Sequence, residues 1–187
     1  TDPEDPFTAS EVIPNFVIYG TSGTEAQTYA DRNNIQFNSI AAGTTVKGTA
    51  KSYLSASDTV TIQLIKSGVV AYETIVKGNT VDYFFSDVAT GTYILKVMKE
   101  NHIAREYKIT VGSESVILNV KICRLGDVNM DGKISILDAI MVQKAALSSM
   151  SLDDYQSKLA SVRGKSSLGV LDAILIQKYA LGMITSF

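Results

Sequence analysis

The 187-residue sequence predicts an all-β sandwich followed by a small all-α unit. From about 44 to 121, short runs rich in Val, Ile, Tyr, Phe and Thr alternate apolar with polar residues. Gly, Asn, Asp and Ser separate them. Beyond 123 the period becomes helical, and one stretch recurs at an offset of 34 residues. Charge shifts at the same place. Residues 1–122 hold 10 basic and 13 acidic side chains (10 − 13 = −3), and residues 123–187 hold 7 and 6 (7 − 6 = +1). The expected domains are therefore 1–122, with 1–43 as an N-terminal extension, and 123–187.

The strands are expected at 45–54, 58–66, 69–76, 79–86, 92–99, 103–111 and 115–121. In Thr59-Val60-Thr61-Ile62-Gln63-Leu64 every second residue is apolar, and Tyr93, Leu95 and Val97 repeat the pattern. Period two means one face buried and one face in water. Ser67-Gly68, Gly78-Asn79, Thr90-Gly91 and Gly112-Ser113 supply turns. Seven strands at this spacing imply two packed antiparallel sheets, Ig-like or prealbumin-like. Upstream, 15–19 and 35–40 read as strands that extend the sandwich or edge it, and 25–33 reads as a loop or short helix. The run Phe84-Phe85-Ser86-Asp87-Val88-Ala89-Thr90-Gly91-Thr92-Tyr93 leads an aromatic strand through a turn into the next strand. On it, 46–122 resembles carboxypeptidase-regulatory-like sandwiches, which implies a spacing or stabilising module.

Residues 127–138 read Asp-Val-Asn-Met-Asp-Gly-Lys-Ile-Ser-Ile-Leu-Asp. Oxygen side chains fall at loop positions 1, 3, 5, 9 and 12: Asp127, Asn129, Asp131, Ser135 and Asp138. Lys133 offers its carbonyl at position 7, and Gly132 sits at position 6. Calcium is a hard cation that takes six to eight oxygens, and a tight loop can aim alternate residues at one centre only if it turns sharply midway. Gly132 permits that turn. Ile134 anchors the loop to the core, Ser135 acts through water, and Asp138 closes the site while opening a helix. The competing reading is a solvated Asp/Asn/Gly turn. The EF-hand-like spacing favours one Ca²⁺.

Leu137-Asp138-Ala139-Ile140 … Gln143-Lys144 returns as Leu171-Asp172-Ala173-Ile174 … Gln177-Lys178. Between them, Ser151-Leu152-Asp153-Asp154 resembles a capping box, and Leu152, Tyr155 and Leu159 give the intervening helix one apolar stripe. With its opening Gly126-Asp127-Val128-Asn129, this duplicated loop-plus-helix resembles a dockerin of the cellulosomal, Ruminococcus-like kind. A sandwich directly before it resembles an X-module–dockerin tandem. The resemblance implies a cohesin partner on a scaffolding or cell-surface protein, and a secreted, surface-associated bacterial setting.

The second loop, 161–172, departs from that pattern. Ser161, Arg163, Lys165 and Ser166 stand at positions 1, 3, 5 and 6, while Leu168 and Asp172 keep positions 8 and 12. Two cations replace ligands, so this loop is expected not to bind calcium, with Arg163 or Lys165 in place of the ion, pairing with Asp172 or nearby carbonyls.

Both helices are apolar on nearly every side, more than a unit of about 65 residues can cover. In the register that the resemblance implies, Ala139, Val142 and Ala146 face inward. Ile136, Leu137, Ile140 and Met141 face outward with Lys144 at the rim. Their counterparts are Val170, Leu171, Ile174, Leu175, Lys178 and Tyr179. Exposed apolar surface rimmed by charge marks a protein interface. The alternative is that the sandwich covers one patch. The halves imply a pseudo-two-fold, broken by Tyr179 against Ala145 and Gly182 against Ser148, which predicts one preferred docking orientation.

Other function classes find little support. A net charge of −2 is no footprint for nucleic acid. No apolar stretch approaches the ~20 residues of a membrane span, and the opening TDPEDPF carries no leader pattern. The lone His102 reads as a turn residue and the lone Cys123 as a buried or inert thiol, so no enzyme is expected. An exposed Tyr72, Tyr83 and Phe84 set could stack on sugar rings, which leaves a carbohydrate-binding or adhesion sandwich, with a calcium-stabilised C-terminal module, as the alternative function.

Overall fold

The computed structural model describes residues 16–39, 43–54, 56–165 and 167–187. The TDPEDPF opening, the outer ends of the two upstream strands (Asn15 and Ile40) and Ser166 of the second loop lie outside them. The chain forms two compact units, Thr1–Gly43 and Thr44–Phe187.

In the first unit, β1 (Val17–Gly20) and β2 (Gln36–Ser39) pair in parallel, joined through helix α1 (Glu25–Arg32). Of residues 25–33, open between loop and helix in the sequence, Glu25–Arg32 are helical and Asn33 caps the end. Parallel strands cannot be joined by a tight turn, so a crossover element must lie between them. The upstream strands pair with each other in a sheet of their own, rather than extending the sandwich.

The second unit opens with β3 (Thr44–Lys51), β4 (Thr59–Lys66), β5 (Val69–Lys77), β6 (Thr80–Val88), β7 (Gly91–Lys99) and β8 (Arg105–Val111), followed by the two-residue strands β9 (Val116–Ile117) and β10 (Val120–Lys121). One sheet runs β10-β3-β6, with β9 also on β3, and the other runs β5-β4-β7-β8. Their inner faces are the alternating residues. Val60, Ile62 and Leu64 meet Tyr93, Leu95 and Val97 from β7, and Val46, Val81, Tyr83 and Phe85 from the opposite sheet, all buried. The run expected at 115–121 is interrupted at Leu118, whose carbonyl lies against Gly48. A Cβ at Gly48 would collide with that carbonyl.

The helices are α2 (Ile136–Ala146), α3 (Asp154–Ala160) and α4 (Val170–Ala180). The box that opens α3 lies two residues later than the Ser151 reading. Asp153 Oδ1 accepts from the Gln156 N–H (2.7 Å), and the Asp153 N–H donates to Gln156 Oε1 (3.1 Å). Gln at the third position returns the bond as well as Asp would, so the local rule holds in a different register. Among the described residues, no helix is long and apolar enough to cross a membrane.

The expected fold class needs correction. Among the described residues the chain is mostly β-sandwich with four short helices, and the three after the sandwich, α2, α3 and α4, do not stand apart as a small all-α domain. They belong to the same compact unit as the eight strands from Thr44 onward. The physical reason is the make-up of the helical core. Cys123, Val128, Val142, Tyr155, Leu159 and Ile176 are buried there, but Tyr53 and Ile103 from the sandwich loops pack against them. Tyr155 Oη donates to the Ile103 carbonyl (2.7 Å) and accepts from the Cys123 N–H (2.9 Å), while the Arg105 guanidinium lies 4.3 Å from the Tyr155 ring centroid. Some 65 residues bury too little apolar surface alone, and strand loops complete the core.

Candidate metal loop and helix pair

The loop at 127–138 is wound around its own acidic side chains. Asp127 Oδ1 accepts from the Asp131 N–H (3.1 Å) and Oδ2 from the Gly132 N–H (3.0 Å). Asp138 Oδ1 accepts from the Asn129 N–H (2.9 Å), and its Oδ2 takes both the N–H (2.8 Å) and the hydroxyl (3.0 Å) of Ser135. Asn129 Oδ1 receives the Asp131 N–H (2.9 Å), and Asp131 Oδ1 receives the Lys133 N–H (2.8 Å). The chain can close this tightly because Gly132 has φ +96°. Ser135 also caps α2, accepting from the Leu137 N–H.

The charge balance of this loop is unfavourable without a counter-ion. Asp127 and Asp138 are buried, at 1% and 0% exposure. Burial pushes the Asp127 carboxyl up to about 6, helped by the neighbouring Asp138 and Asp131 charges and opposed by the Gly132 N–H. Among the described residues, no three His, Cys, Asp or Glu side chains gather around one point. The side-chain oxygens of Asp127, Asn129, Asp131, Ser135 and Asp138 are instead turned onto the loop's own N–H groups, three carboxylates among them. Those donors fit Ca²⁺, which would supply the missing positive charge.

The second loop keeps the same backbone clasp with a different occupant. The Arg163 N–H donates to Asp172 Oδ1 (3.2 Å) and the Gly169 N–H to Oδ2 (3.0 Å). These positions lie 34 residues after Asn129 and Ser135, which hold Asp138 in the same way. The Arg163 guanidinium then binds Asp172 Oδ2 at 2.8 Å. Asp172 is fully buried. Burial would raise its carboxyl, but the Arg163 and Gly169 hydrogen bonds outweigh that and hold it below the ordinary carboxylate value. Of the two cations the sequence offers, Arg163 makes the pair. The Lys165 carbonyl instead accepts from the Ser161 hydroxyl (2.7 Å).

Helices α2 and α4 pack against each other and present twin apolar faces. Leu137 and Leu171 are 61% and 58% exposed, Ile140 and Ile174 41% and 38%, and Ile136 and Val170 are equally open. A shallow groove of about 90 Å³ runs between them, lined by Ile136, Ile140, Gln143, Val170, Ile174 and Gln177. Lys144 and Lys178 are exposed near the helix ends. Met141 and Leu175, expected to face outward, are half-buried against the helical core. Tyr179 is half-buried too, stacked on Phe187 with centroids 4.8 Å apart. The reason is that each helix has core on more than one side, so residues flanking the outer stripe are shared between core and surface.

Sequence reasoning missed the residues that brace the loop from the sandwich. The Tyr53 ring lies against Gly132, where a Cβ would collide with it, and Tyr53 Oη donates to the Met130 carbonyl (3.1 Å). Lys121 Nζ donates to the same carbonyl (3.2 Å). The Tyr53 N–H in turn donates to His102 Nε2 (3.1 Å), while His102 Nδ1 lies 2.8 Å from the Glu100 carbonyl. This pairing uses the neutral imidazole, with the proton assigned to Nδ1. Tyr53 lies more than seventy residues from Met130, and no local pattern announces such a contact.

His102 gives a pH prediction. Burial lowers its pKa, assisted by the Lys99 and Arg124 charges and opposed by the Glu100 carbonyl and Asp58. A lowered folded value means that the native state binds fewer protons than the unfolded chain. Its contribution is therefore present above the ordinary histidine value near 6.5 and is lost as pH falls below it. Urea unfolding in excess calcium at about pH 7.5 and about pH 5.5 is expected to show a loss of stability on acidification that shrinks in His102→Gln.

The other candidates resolve plainly. Cys123 is buried, and burial together with Asp127 pushes its thiol up to about 12. Tyr83 is buried, and Tyr72 packs 6.1 Å from Phe85 and 6.4 Å from Tyr93. Of the three aromatic residues considered for sugar stacking, only Phe84 is exposed.

No protein-family model matches the chain, and no curated protein matches it. Solved structures do. One is the third cohesin ScaC in complex with the ScaB dockerin from Acetivibrio cellulolyticus, carrying a C-terminal helix mutation. It matches at 32% identity over 34% of this chain and 89% of that chain, with a TM-score of 0.32. The corresponding complex with an N-terminal helix mutation gives 31% identity over the same shares and the same TM-score. A type II cohesin–X-dockerin complex from the same organism, a C-terminal interface mutant, gives 18% identity over 72% of this chain and 93% of that chain, with a TM-score of 0.36. The superpositions themselves place no fold.

Proposed function

We propose that this chain is an X-module–dockerin-type tandem that binds a cohesin module in a calcium-dependent way, and so anchors or assembles a cellulosome-type complex. The observation that carries the reading is the pair of exposed apolar faces, Ile136, Leu137 and Ile140 on α2 and Val170, Leu171 and Ile174 on α4, which occur at a 34-residue repeat with a groove between them. Water-exposed apolar residues in a contiguous, charge-rimmed patch are a partner surface. The first loop supports the calcium part: bound Ca²⁺ would neutralise Asp127, Asp131 and Asp138 and hold Ser135 and Asp138 at the start of α2. In this reading the chain binds and positions and carries no catalytic site. Its setting is secreted and associated with the bacterial surface.

The experiment is capture of the full chain on an immobilised cohesin panel, in calcium and in chelator, beside an immobilised dockerin as counter-bait. Calcium-dependent retention on a cohesin supports the reading. Retention on the dockerin alone assigns the opposite role and overturns it, as does retention on neither.

A further inference from the structure

We propose that the Arg163 guanidinium is a tethered cation that replaces metal in the second loop, so that divalent metal governs the α2 half of the helix pair and leaves the α4 half clasped. The calcium half of this statement rests on the reading of the first loop given above. The Arg163 half stands on the geometry of the second.

The two loops match in how they hold their last carboxylate. In each, the position-12 carboxylate is fully buried and starts a helix. In each, the backbone N–H groups of positions 3 and 9 hold its two oxygens: Asn129 and Ser135 on Asp138, Arg163 and Gly169 on Asp172. The loops differ in what faces that carboxylate. The first offers the Asp127 and Asp131 carboxylates and the neutral Asn129 amide, whose Nδ2 donates to Asp131 Oδ2 (2.9 Å), and no cation. The second offers a guanidinium 2.8 Å from Asp172 Oδ2, with Ser161 and Lys165 bonded to each other across the loop. A buried carboxylate must be paired. Among the described residues Asp138 has no ion-pair partner, whereas Asp172 has one that cannot dissociate from the protein and does not deprotonate. A divalent ion would have to displace Arg163 and then sit beside Lys165, so the ligand set does not fit calcium.

The test uses the full chain. Calcium titration calorimetry is expected to give one site. Hydrogen exchange in chelator is expected to accelerate across 127–140 and to stay unchanged across 161–176. Arg163→Gln, leaving Asp172 buried and unpaired, is expected to speed exchange in 161–176 roughly tenfold or more, with calcium present or absent. Adding Asp172→Asn to it is expected to restore most of the protection, because both partners of the pair are then neutral. The triple change Ser161→Asp, Arg163→Asn, Lys165→Asp is expected to add a second calcium. Two calcium sites in the unaltered chain, equal loosening of both segments in chelator, or additive Arg163→Gln and Asp172→Asn effects would overturn the proposal. Failure of the first loop to bind calcium would remove the proposed function but leave the Arg163–Asp172 coupling intact. Loss of that coupling with calcium-dependent capture preserved would remove only this proposal.

Discussion

Ile140→Asp together with Ile174→Asp is expected to abolish capture by a cohesin, lowering affinity at least about a hundredfold. The physical reason is desolvation. Both side chains line the groove between α2 and α4 and stand 41% and 38% exposed in the free chain. A carboxylate there costs little while water reaches it. Burying two unpaired carboxylates under a partner costs several kcal/mol. The unfolding midpoint should accordingly move little, and circular dichroism melts run beside the capture assay separate a lost surface from a lost fold. Leu137→Ala and Leu171→Ala then read the orientation, because these residues are the most exposed of each face. Unequal losses of affinity indicate one preferred docking mode, and equal losses indicate two. Met141 and Leu175 are poorer probes, since each also packs against the helical core.

Gly132→Ala is expected to damage both folding and calcium uptake, at about 2–4 kcal/mol of stability. Two penalties add. The position has φ +96°, which an L side chain resists, and the new Cβ runs into the Tyr53 ring. If Tyr53 retreats, the Met130 carbonyl loses the hydroxyl that holds the loop. Ligand linkage gives the comparison: calcium at a hundred times its dissociation constant stabilises the folded chain by about 2.7 kcal/mol. In the unaltered chain, chelation should therefore lower the unfolding midpoint measurably, and in Gly132→Ala the chelator effect should shrink, because less calcium is bound to remove. Tyr53→Ala, without the backbone strain, should reproduce part of the loss. Calorimetry of calcium binding together with urea unfolding reads both quantities. An unchanged calcium affinity in both variants would show that the sandwich does not brace the loop.

Whatever is local or periodic can be read from the order of residues alone. Alternation over Thr59–Lys66 and Gly91–Lys99 marks which side chains enter the core, because a strand puts successive residues on opposite faces. The 34-residue repeat marks α2 and α4, and the 127–138 spacing marks the acidic loop, because ligand positions in a tight loop are set by sequence separation. The departure at Arg163 and Lys165 is equally plain, although only the folded chain distinguishes Arg163 as the partner of Asp172. Tertiary structure decided three things. It made the upstream strands a parallel pair with a helix between them, where the sequence left them as additions to the sandwich. It joined the helices to the sandwich in one unit, through Tyr53, Ile103 and Arg105, whose partners lie at Gly132, Cys123 and Tyr155. It also turned Met141, Leu175 and Tyr179 partly inward. The cause is the same each time. A contact between residues about twenty to eighty positions apart leaves no periodic trace, and how a helix divides its apolar sides between core and solvent depends on what the rest of the chain brings up against it.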